Sequence, residues 1–280
     1  ILLVGETGTG KELFAQSIHR ASTRLHGPFV AINCAALPES LLESELFGYV
    51  GGAFTGASKN GKMGLFELAH GGTLFLDEVS EMSPLLQGRL LRVIEEREIM
   101  RIGHDTVIPV DIRIIAATNR DIEEQVAQNK FRKDLFYRLD VLRLNIPPLR
   151  KRDKDSLVLM KHFLRQFDER NGKTLHMFDP QVLPIILNHP WDGNIRQLRN
   201  LCERISVVVT GTVVSPQDLL TCLGRGSECP QRLDIHEQQS ECAQIAQTLK
   251  NTNNNKSEAA RALGMDRSTL YRKLRLYGIQ

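Results

Sequence analysis

Gly5-Glu6-Thr7-Gly8-Thr9-Gly10-Lys11 has the spacing GxxxxGK of a loop that cradles phosphates. Glycines let backbone N–H groups turn toward phosphate oxygens, and a helix start just beyond adds positive potential. Lys11 then reaches the β and γ phosphates of a nucleoside triphosphate. The context fits: an apolar run at 1–4 reads as a strand, and Leu13, Phe14 and Ile18 follow at helical spacing. One residue departs from the pattern, because Glu12 stands where Ser or Thr would hold magnesium. A second motif offers that ligand. The apolar run 73–76 ends in Asp77-Glu78, two carboxylates at the end of a strand, where open α/β sheets bind ligands. Asp77 can hold Mg2+ through its waters, and Glu78 can polarise an attacking water.

Other polar residues stand at strand ends. Asn33 follows the run 29–32, and Thr118-Asn119 follows 114–117. An amide there orients water near a γ phosphate, or is only a turn residue. Arg132 and Arg138 lie six apart on a charged segment. They are either surface arginines or groups supplied to a neighbour's γ phosphate, a role worth roughly 10³–10⁵ in rate. Between the two halves of this site sits Gly52-Ala53-Phe54-Thr55-Gly56-Ala57, or GAFTGA. A solvated loop has little use for a Phe at its tip unless something docks on it. The flanking motifs bring energy in; this loop reads as the place of delivery.

The elements that must position these groups are legible as well. Short apolar runs at 1–4, 29–32, 73–76, 113–117 and 141–144 lack alternation, as strands buried on both faces do. Alternating with helical patterns, they predict a parallel α/β sheet with helices on both faces, over 1–149. From 150 to 223 the pattern is helical, with Asn194 and Gln197 spaced as a helix cap, and predicts a small α-helical domain. Residues 224–233 read as a linker. Three helices are expected in 234–280, where Asn255 and Glu258 have capping-box spacing and Leu270 and Leu274 lie four apart.

Composition sets bounds. With 280 residues, 41% hydrophobic and 25% charged, the chain is of the ordinary globular class with room for two or three domains. No apolar run is long enough for a membrane span. The five cysteines, Cys34, Cys202, Cys222, Cys229 and Cys242, contain no CxxC pair and read as reduced thiols of a cytoplasmic protein. Net charge is only +3, but 256–280 carries six basic residues against two acidic ones. Opening directly on a buried strand, the chain is expected to have sequence upstream.

GETGTGKE at 5–12, GAFTGA at 52–57, GGTLFLDE at 71–78, ATNRD at 117–121, FRKDLFYRL at 131–139 and the segment 191–200 occur in order. In this combination the chain resembles the AAA+ activators of sigma-54 RNA polymerase, the NtrC-like bacterial enhancer-binding proteins, over nearly its whole length. The resemblance implies an AAA+ P-loop parallel sheet with a helical lid and a C-terminal helix-turn-helix. It implies that Gly5, Glu6, Thr7, Gly8, Thr9, Gly10, Lys11 and Glu12 bind ATP, with Asp77 and Glu78 as the Walker B pair. Asn33 would hold the catalytic Glu in check, Thr118 and Asn119 would be sensor I, and Arg196 would be sensor II. Arg132 and Arg138 would be arginine fingers acting across a subunit boundary of a homo-oligomer, expected to be a hexameric ring. Gly52 to Ala57 would contact sigma-54, Phe54 and Thr55 most directly, with 101–111 as a second loop beside them.

Departures from the family pattern are Thr7 for Ser, Val50-Gly51 for a charged pair, and Asp192 for Pro after Trp191. None removes a catalytic group. Family members have residues upstream that help enclose adenine, so this piece alone is expected to bind ATP less well. Residues 255–276 resemble a Fis-type helix-turn-helix. Arg267, Ser268, Thr269, Tyr271, Arg272, Lys273 and Arg275 are its candidate contacts to double-stranded enhancer DNA. The helix at 234–250 is expected to dimerise it on an inverted repeat. A repressor with a vestigial ATPase would show a damaged motif, and an unfoldase would not need the helix-turn-helix. The implied setting is the bacterial cytoplasm.

Overall fold

The computed structural model describes residues 1–53, 58 and 60–224. Phe54, Thr55, Gly56 and Ala57 lie outside the described residues. So do most of the expected linker and the DNA-contact candidates Arg267, Ser268, Thr269, Tyr271, Arg272, Lys273 and Arg275. By internal contacts the chain divides into Ile1–Leu223 and Gly224–Gln280, and all the described helices and strands belong to the first unit.

In chain order it runs β1 (Leu2–Val4), α1 (Lys11–Arg20), β2 (Phe29–Asn33), α2 (Glu39–Phe47), β3 (Gly48–Tyr49), β4 (Lys62–Met63), α3 (Leu65–Leu68) and β5 (Thr73–Asp77). Then come α4 (Pro84–Glu96), β6 (Glu98–Met100), β7 (Val107–Pro109), β8 (Arg113–Thr118), α5 (Ile122–Ala127), α6 (Lys133–Leu139) and β9 (Arg143–Asn145). The lid follows as α7 (Asp155–Arg170), β10 (Met177–Phe178), α8 (Val182–Asn188), α9 (Asn194–Val208), β11 (Val213–Val214) and α10 (Pro216–Leu223).

The five apolar runs form one parallel sheet in the order β2-β5-β8-β1-β9. Successive side chains go to opposite faces; both faces of the central strands β5, β8 and β1 are covered, whereas the edge strands β2 and β9 are only partly buried. Leu2, Leu74, Leu76 and Ala116 pack in one cluster with Leu42, Leu86, Leu90 and Leu135 from the helices. Leu3, Phe75, Ile115 and Ala117 pack in the other with Ala15 of α1. Helix α4 shows how local sequence serves this packing. Ser83 accepts from Leu86 N at 3.4 Å and Pro84 opens the helix, while Leu86, Leu90 and Val93 line its buried face. The last strand begins two residues later than the run 141–144 predicts. Val141 is 82% exposed. Arg143 forks onto Asp140 at 3.0 and 2.6 Å, closing the turn after α6 before pairing starts.

Register decides where the functional groups fall. Asn33 pairs with Asp77, Leu76 with Ala116, and Val4 with both Thr118 and Asn145. The polar ends of β2, β5 and β8 and the loop leaving β1 therefore share one edge of the sheet.

The lid has its own core around Trp191, which is 1% exposed and donates its indole Nε1–H to the Ile186 carbonyl at 2.9 Å. The cap expected at Asn194 takes a different form. Gly193 is the N-cap, and its N–H donates to Gln197 Oε1 at 3.1 Å. Asn194, at φ +51°, sends its side chain away from its own helix. No helix of the described residues is long and apolar enough to cross a membrane.

Candidate functional site

The loop between β1 and α1 closes on its own carbonyls. Gly5 N donates to the Thr118 carbonyl at 3.1 Å, tying the loop's start to the end of β8. The Thr9 hydroxyl donates to the Glu6 carbonyl at 2.7 Å. Lys11 Nζ reaches the Gly5 carbonyl at 2.9 Å and the Glu6 carbonyl at 3.4 Å. Glycine is required at position 8. There φ is +80°, and a Cβ would meet the Gly193 carbonyl oxygen at 2.4 Å.

The amides of Gly8 and Gly10 donate to no acceptor among the described residues. With Lys11 at the base of the loop, these are the groups an anionic phosphate needs, so the residues fit that group.

The acids stand opposite. Glu78 Oε1 is 4.0 Å from Lys11 Nζ, and Glu78 Oε2 accepts from Asn119 N at 3.3 Å. Glu78 has φ +53° and ψ +45°, a left-handed backbone that only a few per cent of non-glycine residues hold. Burial pushes its carboxyl up. Lys11 opposes that shift, and the neighbouring Asp77 charge adds to it. Asp77 Oδ1 accepts from Glu78 N at 3.0 Å. No group of three or more His, Cys, Asp or Glu among the described residues could hold a metal ion by itself. One carboxylate beside a phosphate loop suits magnesium, which keeps several waters and binds through phosphate oxygens. Beneath the acids, Cys34 N donates to the Asp77 carbonyl at 2.9 Å. Burial first, then the Asp77 and Glu78 charges, push the Cys34 thiol up to about 12, so it stays protonated.

The other candidates divide. Asn119 bridges the two halves, since its Nδ2 donates to the Thr7 hydroxyl at 2.9 Å. Thr118 does not face the cleft. It is fully buried, its hydroxyl 3.0 Å from the Ser80 hydroxyl and accepting from Arg120 N at 3.1 Å. Asn33 lines the cleft, but its Oδ1 accepts from Ala35 N at 2.8 Å, the turn geometry. Arg196 lines the cleft from the lid side. The cleft holds about 730 Å³ and brings together Thr7, Gly8, Gly10, Lys11, Glu12, Asp77, Glu78 and Asn119 as well.

Arg132 and Arg138 do not line it. Arg132 forks onto Asp134 at 3.0 and 2.7 Å, and Arg138 pairs with Glu95 at 2.9 Å. Gly52 is exposed at φ +78°. The base of its loop meets the segment after β6: Val50 N donates to the Ile102 carbonyl at 3.2 Å, and Ile102 N to the Gly48 carbonyl at 2.9 Å.

Sequence reasoning missed the far side of the loop. Glu6 turns away from the cleft and takes the Arg150 guanidinium in two bonds, one of 2.8 Å, and Asn194 Nδ2 at 3.1 Å. Arg150 first, then Asn194, hold its carboxyl down at about 2. A glutamate inside an anion-binding loop was the available signal.

A parallel sheet of this order, a GxxxxGK loop leaving its fourth strand in spatial order, an Asp-Glu pair and a helical lid define the AAA+ P-loop class. Three family models cover the chain: the Sigma-54 interaction domain at residues 1–145, an AAA+ ATPase lid domain at 150–234, and the Fis family of bacterial regulatory proteins at 238–277. The chain belongs to the sigma-54-dependent, NtrC-like transcriptional activators. It is 47% identical over 281 residues to the transcriptional regulatory protein ZraR of Salmonella typhimurium, covering 98% of this chain and 62% of that one. It is 45% identical over 289 residues to the regulatory protein AtoC of Escherichia coli, covering 100% and 62%. The chain thus spans less than two thirds of these relatives. Crystal structures of NtrX from Brucella abortus align with a TM-score of 0.74 at 34% identity, covering 99% of this chain and 64% of that one. Others show NtrX in complex with ADP and with ATP.

Proposed function

We infer that the chain is an ATP-hydrolysing transcription activator. It binds enhancer DNA and uses its GAFTGA loop to remodel sigma-54 RNA polymerase from the closed to the open promoter complex. The observation that carries the reading is the meeting of Lys11, Asp77, Glu78 and Asn119 across one cleft, against loop amides left free for an anion. NtrX, which is 33% identical to this chain in its ATP complex, supports ATP as the ligand.

In this mechanism the loop amides and Lys11 bind the phosphates, and Asp77 would hold magnesium, which would supply charge neutralisation when bound. Glu78 takes the proton side of the attacking water, and its raised proton affinity suits that task. Asn119 fixes Glu78 relative to Thr7. Thr118 acts one step back, by holding the turn that carries Asn119. Asn33 orders the neighbouring strand end, and Arg196 reaches the phosphates from the lid. Arg132 and Arg138 serve the site of the next copy in a hexameric ring. Phe54 and Thr55, carried by Gly52, Ala53, Gly56 and Ala57, press on sigma-54. Arg267, Ser268, Thr269, Tyr271, Arg272, Lys273 and Arg275 hold the DNA. The intact acids and GAFTGA support this reading over a repressor with a vestigial ATPase.

A sigma-54-dependent transcription assay in vitro with purified chain tests the reading. Glu78→Gln should keep ATP binding, lose turnover by roughly 10³-fold and fail to open promoters. Near-normal turnover would remove Glu78 from its role.

A further inference from the structure

Three successive carbonyls of the phosphate loop are held by donors from outside the loop. Asn194 Nδ2 donates to the Thr7 carbonyl at 3.1 Å, Ile195 N to the Gly8 carbonyl at 2.9 Å, and Arg152 Nη2 to the Thr9 carbonyl at 3.0 Å. All three donors belong to the lid or to the segment leading into it. In a planar trans peptide the carbonyl and the following N–H point opposite ways. A grip on the Thr7 and Thr9 carbonyls therefore points the N–H groups of Gly8 and Gly10 away from the gripping donors, and both glycines line the cleft. Those are the amides that no acceptor among the described residues takes.

Asn194 is the centre of the grip. It is fully buried, and its left-handed backbone aims the side chain at the loop. Its Oδ1 accepts from Leu149 N at 2.7 Å, just before the lid begins. Its Nδ2 is shared between the Thr7 carbonyl and Glu6 Oε2, both at 3.1 Å. One lid amide thus touches both the loop and the segment leading into the lid. Glu6 completes the arrangement from outside. Left alone, its carboxylate would repel a phosphate; bound to Arg150 by two bonds, it is neutralised and turned outward.

We propose that Asn194 is a positioning residue through which the lid sets the phosphate-binding shape of the loop, with Glu6 and Arg150 as the charged latch that keeps the grip closed. The proposal deepens the nucleotide-site reading and rests on it. Because coupling is reciprocal, phosphate in the loop holds the lid in the gripping position, and an open lid weakens phosphate binding.

Equilibrium binding of ADP and of ATP to the full chain, with thermal melting of the nucleotide-free chain alongside, tests it. Asn194→Ala should weaken ADP binding about tenfold, the scale of one or two lost hydrogen bonds. Asn194→Asp keeps the acceptor for Leu149 N but loses the donor to Thr7 and sets a buried carboxylate against Glu6, so it should weaken ADP binding more than Asn194→Ala and melt lower, and adding Glu6→Gln should recover part of both losses. Arg150→Ala exposes the Glu6 charge and should weaken ATP binding more than ADP binding. Adding Glu6→Gln should recover most of that loss, which a purely structural role would not produce. Nucleotide affinities unchanged in Asn194→Asp and Arg150→Ala would overturn the positioning role alone. A native chain that bound neither nucleotide would overturn the site reading with it.

Discussion

The cleft around Lys11 and the face carrying Arg132 and Arg138 hold the same kind of chemistry in opposite states of completion. In the cleft, the central groups are tied to one another within the chain: Lys11 faces Glu78, Asn119 ties Glu78 to Thr7, and the lid grips the loop. On the other face the arginine side chains are 48% and 59% exposed, paired only with nearby surface acids. Exposed pairs of that sort contribute about 0–1 kcal/mol, so each is readily exchanged for a better anion. On the proposed reading, these exposed arginines are the cations that a second copy would bring to the cleft.

The contrast can be broken most decisively at Arg132. Arg132→Ala should lower ATP turnover by roughly 10³-fold in assembled protein, while leaving ATP affinity in dilute, unassembled chain unchanged. An equal loss at all protein concentrations would place Arg132 in its own chain's site. A smaller effect sharpens the cleft side. Asn119→Ala removes the side-chain bond to Thr7 but leaves the backbone bond to Glu78, so turnover should fall about five- to tenfold regardless of assembly, measured as kcat.

The smallest effect concerns pH. The Glu6 carboxyl is held near 2 in the folded chain, below its ordinary value of 4.5. Its contribution to stability is therefore fully present above about pH 4.5 and disappears as pH falls through about 2. With the Glu6 side chain 41% exposed, that contribution is small. Denaturation of Glu6→Gln against the native chain should show a modest deficit at pH 7 that closes over this range. A deficit independent of pH would mean that packing, not the ion pair, holds the latch.

Much of this was open to reading in the chain itself, for a physical reason. Strands buried on both faces must be apolar throughout, so 1–4, 73–76 and 113–117 stand out, with the half-buried edge run 29–32 beside them, and Asp77, Thr118 and Asn33 mark their polar ends. Parallel register then carries those ends to one edge. What stayed hidden depends on contacts that no local period encodes. Glu6 and Arg150 are 144 residues apart, and Asn194 and Glu6 are 188 apart. Asn194 fits a helix cap by spacing and is diverted because the loop offers its side chain better partners. Thr118 has the spacing of a cleft residue, yet its hydroxyl finds Ser80 in the core. The late start of β9 follows from the Arg143–Asp140 fork, also invisible to an apolar run.

The proposed donation of Arg132 to a neighbour's cleft is tested most directly by mixing two inactive variants. Lys11→Ala cannot hold phosphate but keeps its arginines; Arg132→Ala keeps the cleft but lacks one arginine. Assembled together, they should regain a clear fraction of native ATP turnover, because the cleft of one copy meets Arg132 of the other. Turnover in the mixture no higher than in either variant alone, with assembly verified, would contradict the account.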